Sequence, residues 1–284
     1  MFTTVGILTK PQFTDIQPVL ARLVGWLRSH QKQVILSPET ASLLNESTPY
    51  QFSDLATLTD LMIVLGGDGT MLSAARLVEE RSVPILGVNM GGLGFLTETT
   101  VDCLFESLEK VFSQDYYLDT RLRLQSHIYR QARHVAQATA LNDVVLSKGT
   151  LGRMITVHIQ IDKRFVSNLR GDGIIIASPT GSTAYSLSAG GPILDPSLEV
   201  LVITPISPHT LTHRPLLVPS RAQIEIRLTS PHPAIATLDG QVGFELQGGD
   251  TLTVSMGIHR TRLIRFPDRS YYDILRAKLK WGDG

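Results

Sequence analysis

The sequence predicts two fold classes in one chain: an α/β region built on a parallel, helix-covered sheet, then a mostly antiparallel, sandwich-like β region. Three observations predict this. Short apolar runs alternate with helix-length segments through the first part of the chain. From about Asp119 the apolar residues recur at every second position. The tail from Tyr271 to Lys280 returns to helical spacing through Ile274, Leu275 and Leu279. The expected α/β region is therefore 1–118 with 267–284, and the β-rich region 119–266.

Val5–Leu8 reads as the first strand, with no basic segment before it of the kind a signal peptide carries. Ile16–Ser29 places Val19, Leu20, Leu23, Val24 and Leu27 on one helical face. Gln33–Leu36 is a second strand. Leu61–Leu65 is five apolar residues without a break, the pattern of a strand buried on both faces. Gly66-Gly67-Asp68-Gly69-Thr70 follows, then a helix over Met71–Glu80, a strand over Pro84–Val88 and a helix over Val101–Phe112.

The glycine turn admits two readings. It is either a phosphate cradle, with Thr70 capping a helix whose free N–H groups face an anion, or a turn whose Asp68 caps that helix. A second cluster, Gly91-Gly92-Leu93-Gly94-Phe95-Leu96, follows the next strand and would lie on the same sheet edge, where ligands of such sheets bind. Leu93, Phe95 and Leu96 ask for burial, against a floppy loop. The third small residue of the dinucleotide fingerprint is absent from both clusters, and no Gly-Lys-Ser/Thr occurs, so a Walker loop is excluded.

Beyond Asp119, Ile155–Ile161 and Ile224–Leu228 alternate strictly. Ile174–Ile176, Val200–Ile203, Leu216–Val218, Ile235–Leu238, Leu252–Val254 and Leu263–Phe266 add short strands, separated by turns at Asp162-Lys163, Asp239-Gly240 and Gly248-Gly249-Asp250. Three polar clusters interrupt them. Asn142-Asp143 pairs an amide with a carboxylate, equipment for a diol, and equally an ordinary turn. Arg170-Gly171-Asp172-Gly173 leads into a buried strand and then a hydroxyl-rich turn from Ser178 to Ser188 that holds Tyr185, apt for a nucleoside. His209 and His213 lie four apart as zinc ligands on a helix do, but flanking prolines oppose a helix and no further ligand stands nearby. No nucleophile elbow supports a hydrolase.

Composition narrows the classes further. Lys+Arg and Asp+Glu balance at 26 each, against a nucleic-acid or anionic-membrane partner. No apolar run approaches the ~20 residues of a membrane helix. Cys103 is the sole cysteine, which excludes an internal disulfide and fits a reducing, cytoplasmic compartment.

On Gly66–Thr70, Asn142-Asp143, Gly171-Asp172-Gly173, Pro179-Thr180-Gly181-Ser182-Thr183-Ala184-Tyr185-Ser186, Ala189–Ile193, Thr204-Pro205 and His209, the chain resembles the NAD kinases. The Gly-Gly-Asp-Gly element is shared with diacylglycerol, sphingosine and phosphofructo-kinases; the Thr183–Ser186 stretch is more specific. The resemblance implies a Rossmann-like N-terminal domain, a β-sandwich-like C-terminal domain and a homo-oligomer, dimer or tetramer. It implies phosphoryl transfer from ATP or polyphosphate, with Mg²⁺ and no tightly bound protein-ligated metal, to the adenosine-ribose 2′-hydroxyl of NAD. By position, Asp68 would be the acid/base, with Gly69 beside it. Asn142, Asp143, Asp172 and Thr183, Ala184, Tyr185, Ser186, Leu187 and Ser188 would line the NAD site, joined by Arg153, Arg170 and Gln241. Asp143 stands where many relatives carry the longer Glu. A lipid kinase of the diacylglycerol type and a non-catalytic NAD(P) sensor are the rival readings.

Overall fold

The computed structural model describes residues 2–9, 16–92, 94–149 and 153–281. The chain divides into two compact units, Met1–Thr120 with Thr261–Gly284, and Arg121–Arg260.

The first unit is built on a seven-stranded sheet. Strands β1 (Thr4–Thr9), β2 (Gln33–Leu36), β3 (Leu61–Leu65) and β4 (Ile85–Asn89) stand in the order β2-β1-β3-β4, paired in parallel. All five β3 residues are buried, as a central parallel strand covered on both faces requires. The helix Ile16–Ser29 presents Ile16, Leu20, Leu23, Val24 and Leu27 to the same apolar core. Each such side chain taken out of water contributes ~1.5–3 kcal/mol.

Two expectations are corrected in this unit. The strand predicted at Leu263–Phe266 is Thr261–Arg265, and it joins this parallel sheet beside β4, with Leu263 opposite Ile85, instead of the β-rich region. Four of its five residues are buried, as in a helix-covered sheet, which alternation in a short segment does not distinguish. The helix predicted at Met71–Glu80 runs from Asp68 to Leu77, with Gly67 as its N-cap. Thr70 therefore lies inside the first turn and caps nothing; it is buried against Gly66, where a Cβ would come 2.4 Å from its Oγ1. Leu93, expected to be buried, lies outside the described residues.

The second unit is a pair of six-stranded sheets with antiparallel pairing. One runs Arg164–Gly171, Ile155–Ile161, Ile224–Leu228, Thr251–Met256, Leu124–Arg130, Arg133–Ala140. The other runs Leu216–Pro219, Val200–Ile206, Gly173–Ala177, Asp143–Lys148, Ala234–Leu238, Val242–Leu246. Alternate residues of both, among them Val157, Ile159, Ile226, Val254, Ile174, Leu146 and Ala236, meet in one core, the arrangement of a sandwich. The second sheet has a further apolar face in which Val145, Ile175, Ala177 and Val202 pack with Leu194. Burial on both faces explains why Gly173–Ala177 shows no alternation. The predicted turns fall between strands, with Asp162, Lys163, Asp239 and Gly240 at positive φ.

Candidate functional site

In the first unit the site is the meeting of the two glycine clusters. The turn after β3 ends at Gly67 in an extended conformation, and the helix that follows starts at Asp68. The Asp68 side chain leaves its own helix and spans to the second cluster. Its Oδ2 accepts from the Phe95 N–H at 2.9 Å and its Oδ1 from the Leu96 N–H at 2.9 Å. Gly94 makes this approach possible, because a Cβ there would sit 2.4 Å from Asp68 Oδ1. At Gly67 a Cβ would meet nothing within 4 Å, so open space borders the turn. Asn89 pins the start of the second cluster, its Oδ1 accepting from Gly91 N–H and its Nδ2 donating to Gly92 O. Both readings of the glycine turn had Asp68 or Thr70 as a cap; neither serves as one.

In the second unit the first and second polar clusters come together. Ser178 donates from its N–H to Asn142 O at 2.9 Å and from its hydroxyl to Leu141 O at 2.5 Å. Gly181 lies so close that a Cβ would fall 2.1 Å from Asn142 O. The Thr180–Thr183 turn is thus seated on the Asn142-Asp143 backbone. Asp239, from the hairpin turn, closes the group. Its carboxylate accepts from the N–H groups of Leu141 at 2.9 Å, Asn142 at 2.7 Å and Asp143 at 3.3 Å. Asp143 is buried beside it, and burial together with the Asp239 charge pushes its carboxyl up to about 7. Burial raises Asp239 as well, against the three N–H bonds that favour its ionised form.

Of the remaining predicted residues, Thr183 bonds to Thr180 O within the hydroxyl-rich turn. Ser186 is buried and shares a hydrogen bond with Thr204 at 2.9 Å. Tyr185 and Ser188 are exposed, with Ala184 and Leu187 half-buried beside them. Gln241 follows directly on the Asp239-Gly240 turn. Arg153 and Arg170 line a separate basic depression of about 670 Å³ together with Lys148 and His232. Asp172 faces Lys148 in an ion pair of 2.8 Å at its side. His209 donates its N–H to Arg170 O. Among the described residues no three of His, Cys, Asp and Glu are grouped to hold a metal ion.

Sequence reasoning missed Asp239, Glu98 and Arg265. Asp239-Gly240 carried only a turn signal. Arg265 carried a usable one: an arginine among apolar strand residues is buried only when paired. It is, with Nη1 at 2.7 Å from Glu98 Oε2.

Two family descriptions match the chain: the ATP-NAD kinase N-terminal domain over residues 5–116 and the ATP-NAD kinase C-terminal domain over 141–266. A NAD kinase of Geotalea daltonii is 44% identical over 266 residues, covering 93% of this chain and 94% of the relative. A NAD kinase of Geobacter sulfurreducens is 42% identical over 280 residues, covering 98% of this chain and 99% of its own. Among solved structures, yeast NADH kinase complexed with NADH superposes with a TM-score of 0.90 at 28% identity, covering 99% of this chain and 89% of that one. A NAD kinase from Archaeoglobus fulgidus in complex with ATP shares the fold at a TM-score of 0.79 and 24% identity, covering 98% and 99%.

Proposed function

The chain belongs to the NAD kinase family, and from that premise we propose how its residues carry the reaction. It is an NAD kinase, moving a phosphoryl group onto the adenosine-ribose 2′-hydroxyl of NAD to give NADP. The transition state of such a transfer is loose, so the protein chiefly positions groups and offsets charge. Asp68 takes the proton of the 2′-hydroxyl. Each of its oxygens accepts one backbone N–H, which leaves lone pairs for that hydroxyl. The first turn of the helix at Asp68 directs N–H groups and a positive dipole end to the donor's phosphates, and the space beside Gly67 admits them. The donor is assigned a Mg²⁺ carried mainly by its own phosphate oxygens. When bound, that cation supplies further neutralisation of phosphate charge.

Asn142, Asp143 and the turn through Thr183 hold the adenosine, the buried Asp143 oxygens bonding its hydroxyls. Arg153, Arg170, Asp172, Tyr185, Ser188 and Gln241 are assigned to the same substrate with the residues between them. ATP is the donor that the family's description names, with polyphosphate as its alternative. Assembly as a dimer or tetramer and a cytoplasmic location complete the proposal. The observation that carries the role of Asp68 is its carboxylate fixed by two peptide N–H groups at 2.9 Å. The experiment is purified protein with NAD, Mg²⁺ and either donor, read by an NADP-specific dehydrogenase. NADP formation that Asp68→Asn slows by at least ~10²-fold supports the assignment; full turnover in that variant removes it. A sensor would bind NAD with no turnover.

A further inference from the structure

Arg265 and Glu98 are separated by 167 positions, yet both side chains are nearly inaccessible, 5% and 2% exposed. Glu98 Oε2 accepts from Arg265 Nη1 at 2.7 Å and Oε1 from the Phe266 N–H at 2.8 Å. The guanidinium has further partners: Nε reaches Asp119 Oδ2 at 3.5 Å, and two bonds go to the second glycine cluster or beside it. Nη1 donates to Thr97 O at 3.2 Å and Nη2 to Phe95 O at 3.1 Å. Phe95 O and the Leu96 N–H are the two ends of one planar peptide group. That N–H is the donor to Asp68 Oδ1. A single peptide thus stands between a buried cation and the reacting carboxylate, donated to at one end and donating at the other. Bonds in such a chain polarise and orient each other. A buried ion pair by itself is a poor source of stability, since desolvation offsets much of the attraction. Its place behind this peptide gives it another use.

We propose that Arg265 and Glu98 form a positioning device that fixes the Phe95–Leu96 peptide and, through it, the orientation of Asp68 during phosphoryl transfer. The inference rests on the role assigned to Asp68 and concerns residues of the first unit alone. Arg265→Lys keeps the charge but loses the planar fork that reaches Glu98, Thr97 O and Phe95 O together. Glu98→Gln keeps an acceptor for Phe266 N–H while loosening Arg265.

The test measures kcat, KM for NAD and melting temperature for both variants, with Asp268→Asn as control, which breaks the exposed Lys110–Asp268 pair of 2.8 Å in the same unit. Misplacement of a reacting group by about 1 Å costs up to ~10²-fold in rate. Expected is a kcat at least ~10-fold lower with KM for NAD within ~2-fold of wild type, assayed well below the melting temperature, and an unchanged kcat in the control. Arg265→Lys that folds and keeps wild-type kcat overturns the proposal, as does a rise in KM that accounts for the whole loss. Should neither variant fold, Gly94→Ala takes their place: its Cβ would meet Asp68 Oδ1 at 2.4 Å, displacing the carboxylate directly. The same kcat-selective loss is then expected, and wild-type turnover there overturns the coupling of this loop to Asp68. Absence of NADP with the unmutated protein instead rejects the kinase activity, so the two failures are distinguishable.

Discussion

Asp143→Asn is expected to stabilise the protein, and to do so far more at pH 8 than at pH 5. Burial, then the neighbouring Asp239 charge, pushes the Asp143 carboxyl from 3.8 to about 7, with no hydrogen bond offsetting either effect. A carboxyl raised in the folded state binds more protons there than in the unfolded chain. Stability therefore falls as pH rises from 3.8 to about 7, at 1.36 kcal/mol per unit. The cost of ionising Asp143 is about 2 kcal/mol at pH 5 and about 4 kcal/mol at pH 8. Asparagine, nearly the same in shape and never charged, removes it. The gap between variant and wild type should widen by about 2–3 kcal/mol between the two pH values, or roughly 5 °C at ~2 °C per kcal/mol. Thermal unfolding of both proteins at pH 5 and pH 8 measures it. An equal gap at both values, or a variant less stable at pH 8, refutes the reasoning. NAD affinity of the variant should fall, because the acceptor that the strain maintains is lost.

Asp68→Asn should lower kcat by ~10²–10⁴-fold. It should also lower the melting temperature by several degrees, since an amide presents only one acceptor to the Phe95 and Leu96 N–H groups and leaves one unpaired at ~1–3 kcal/mol; unchanged stability would count against that hydrogen-bond pattern. Gly181→Ala sets a Cβ 2.1 Å from Asn142 O, a backbone atom that cannot give way, so calorimetry should show weakened or abolished NAD binding with the first unit's β3 and its helix intact. Asp250 is held below the ordinary carboxylate range: burial acts upward on it, but the Arg130 hydrogen bonds, the Gln247 N–H and the Arg130 charge outweigh that. Its contribution is present above pH ~4 and lost as pH falls further. Asp250→Asn should thus destabilise at pH 7 and scarcely at pH 2–3 in the same melts.

The parts of the fold that the sequence displayed are those whose neighbours are close in sequence or whose burial is one-sided. Ile155–Ile161 alternates because one face meets the core and the other does not. Arg133–Ala140 is an edge strand, mostly exposed, with little apolar signal to find. Leu263 and Ile264 were visible as a strand, but not as a strand of the parallel sheet, since that membership is settled by Ile85, far back in the chain. The site behaved likewise. Asp68, Asn142, Asp143 and the Ser178–Ser188 turn stand out by local chemistry. Asp239 and Arg265 act on backbone 96–98 and 168–170 positions away, and no local pattern announces such a contact.

Of the three site carboxylates, two are held in one manner and the third is not. Asp68 and Asp239 each spend their oxygens on peptide N–H groups of a distant loop, so each carboxylate fixes the loop and the loop fixes the carboxylate. Such a carboxylate needs no other cation, and a charge so bound stays where the backbone puts it. Asp143 is the exception. It lies buried against a like charge without any such bond to lower its cost. A fold selected for stability alone would have replaced it, as the Asn variant should demonstrate. Under the proposed function, its place at the foot of the hydroxyl-rich turn suits a ligand whose hydroxyls supply the missing donors, and the adenosine ribose of NAD carries two.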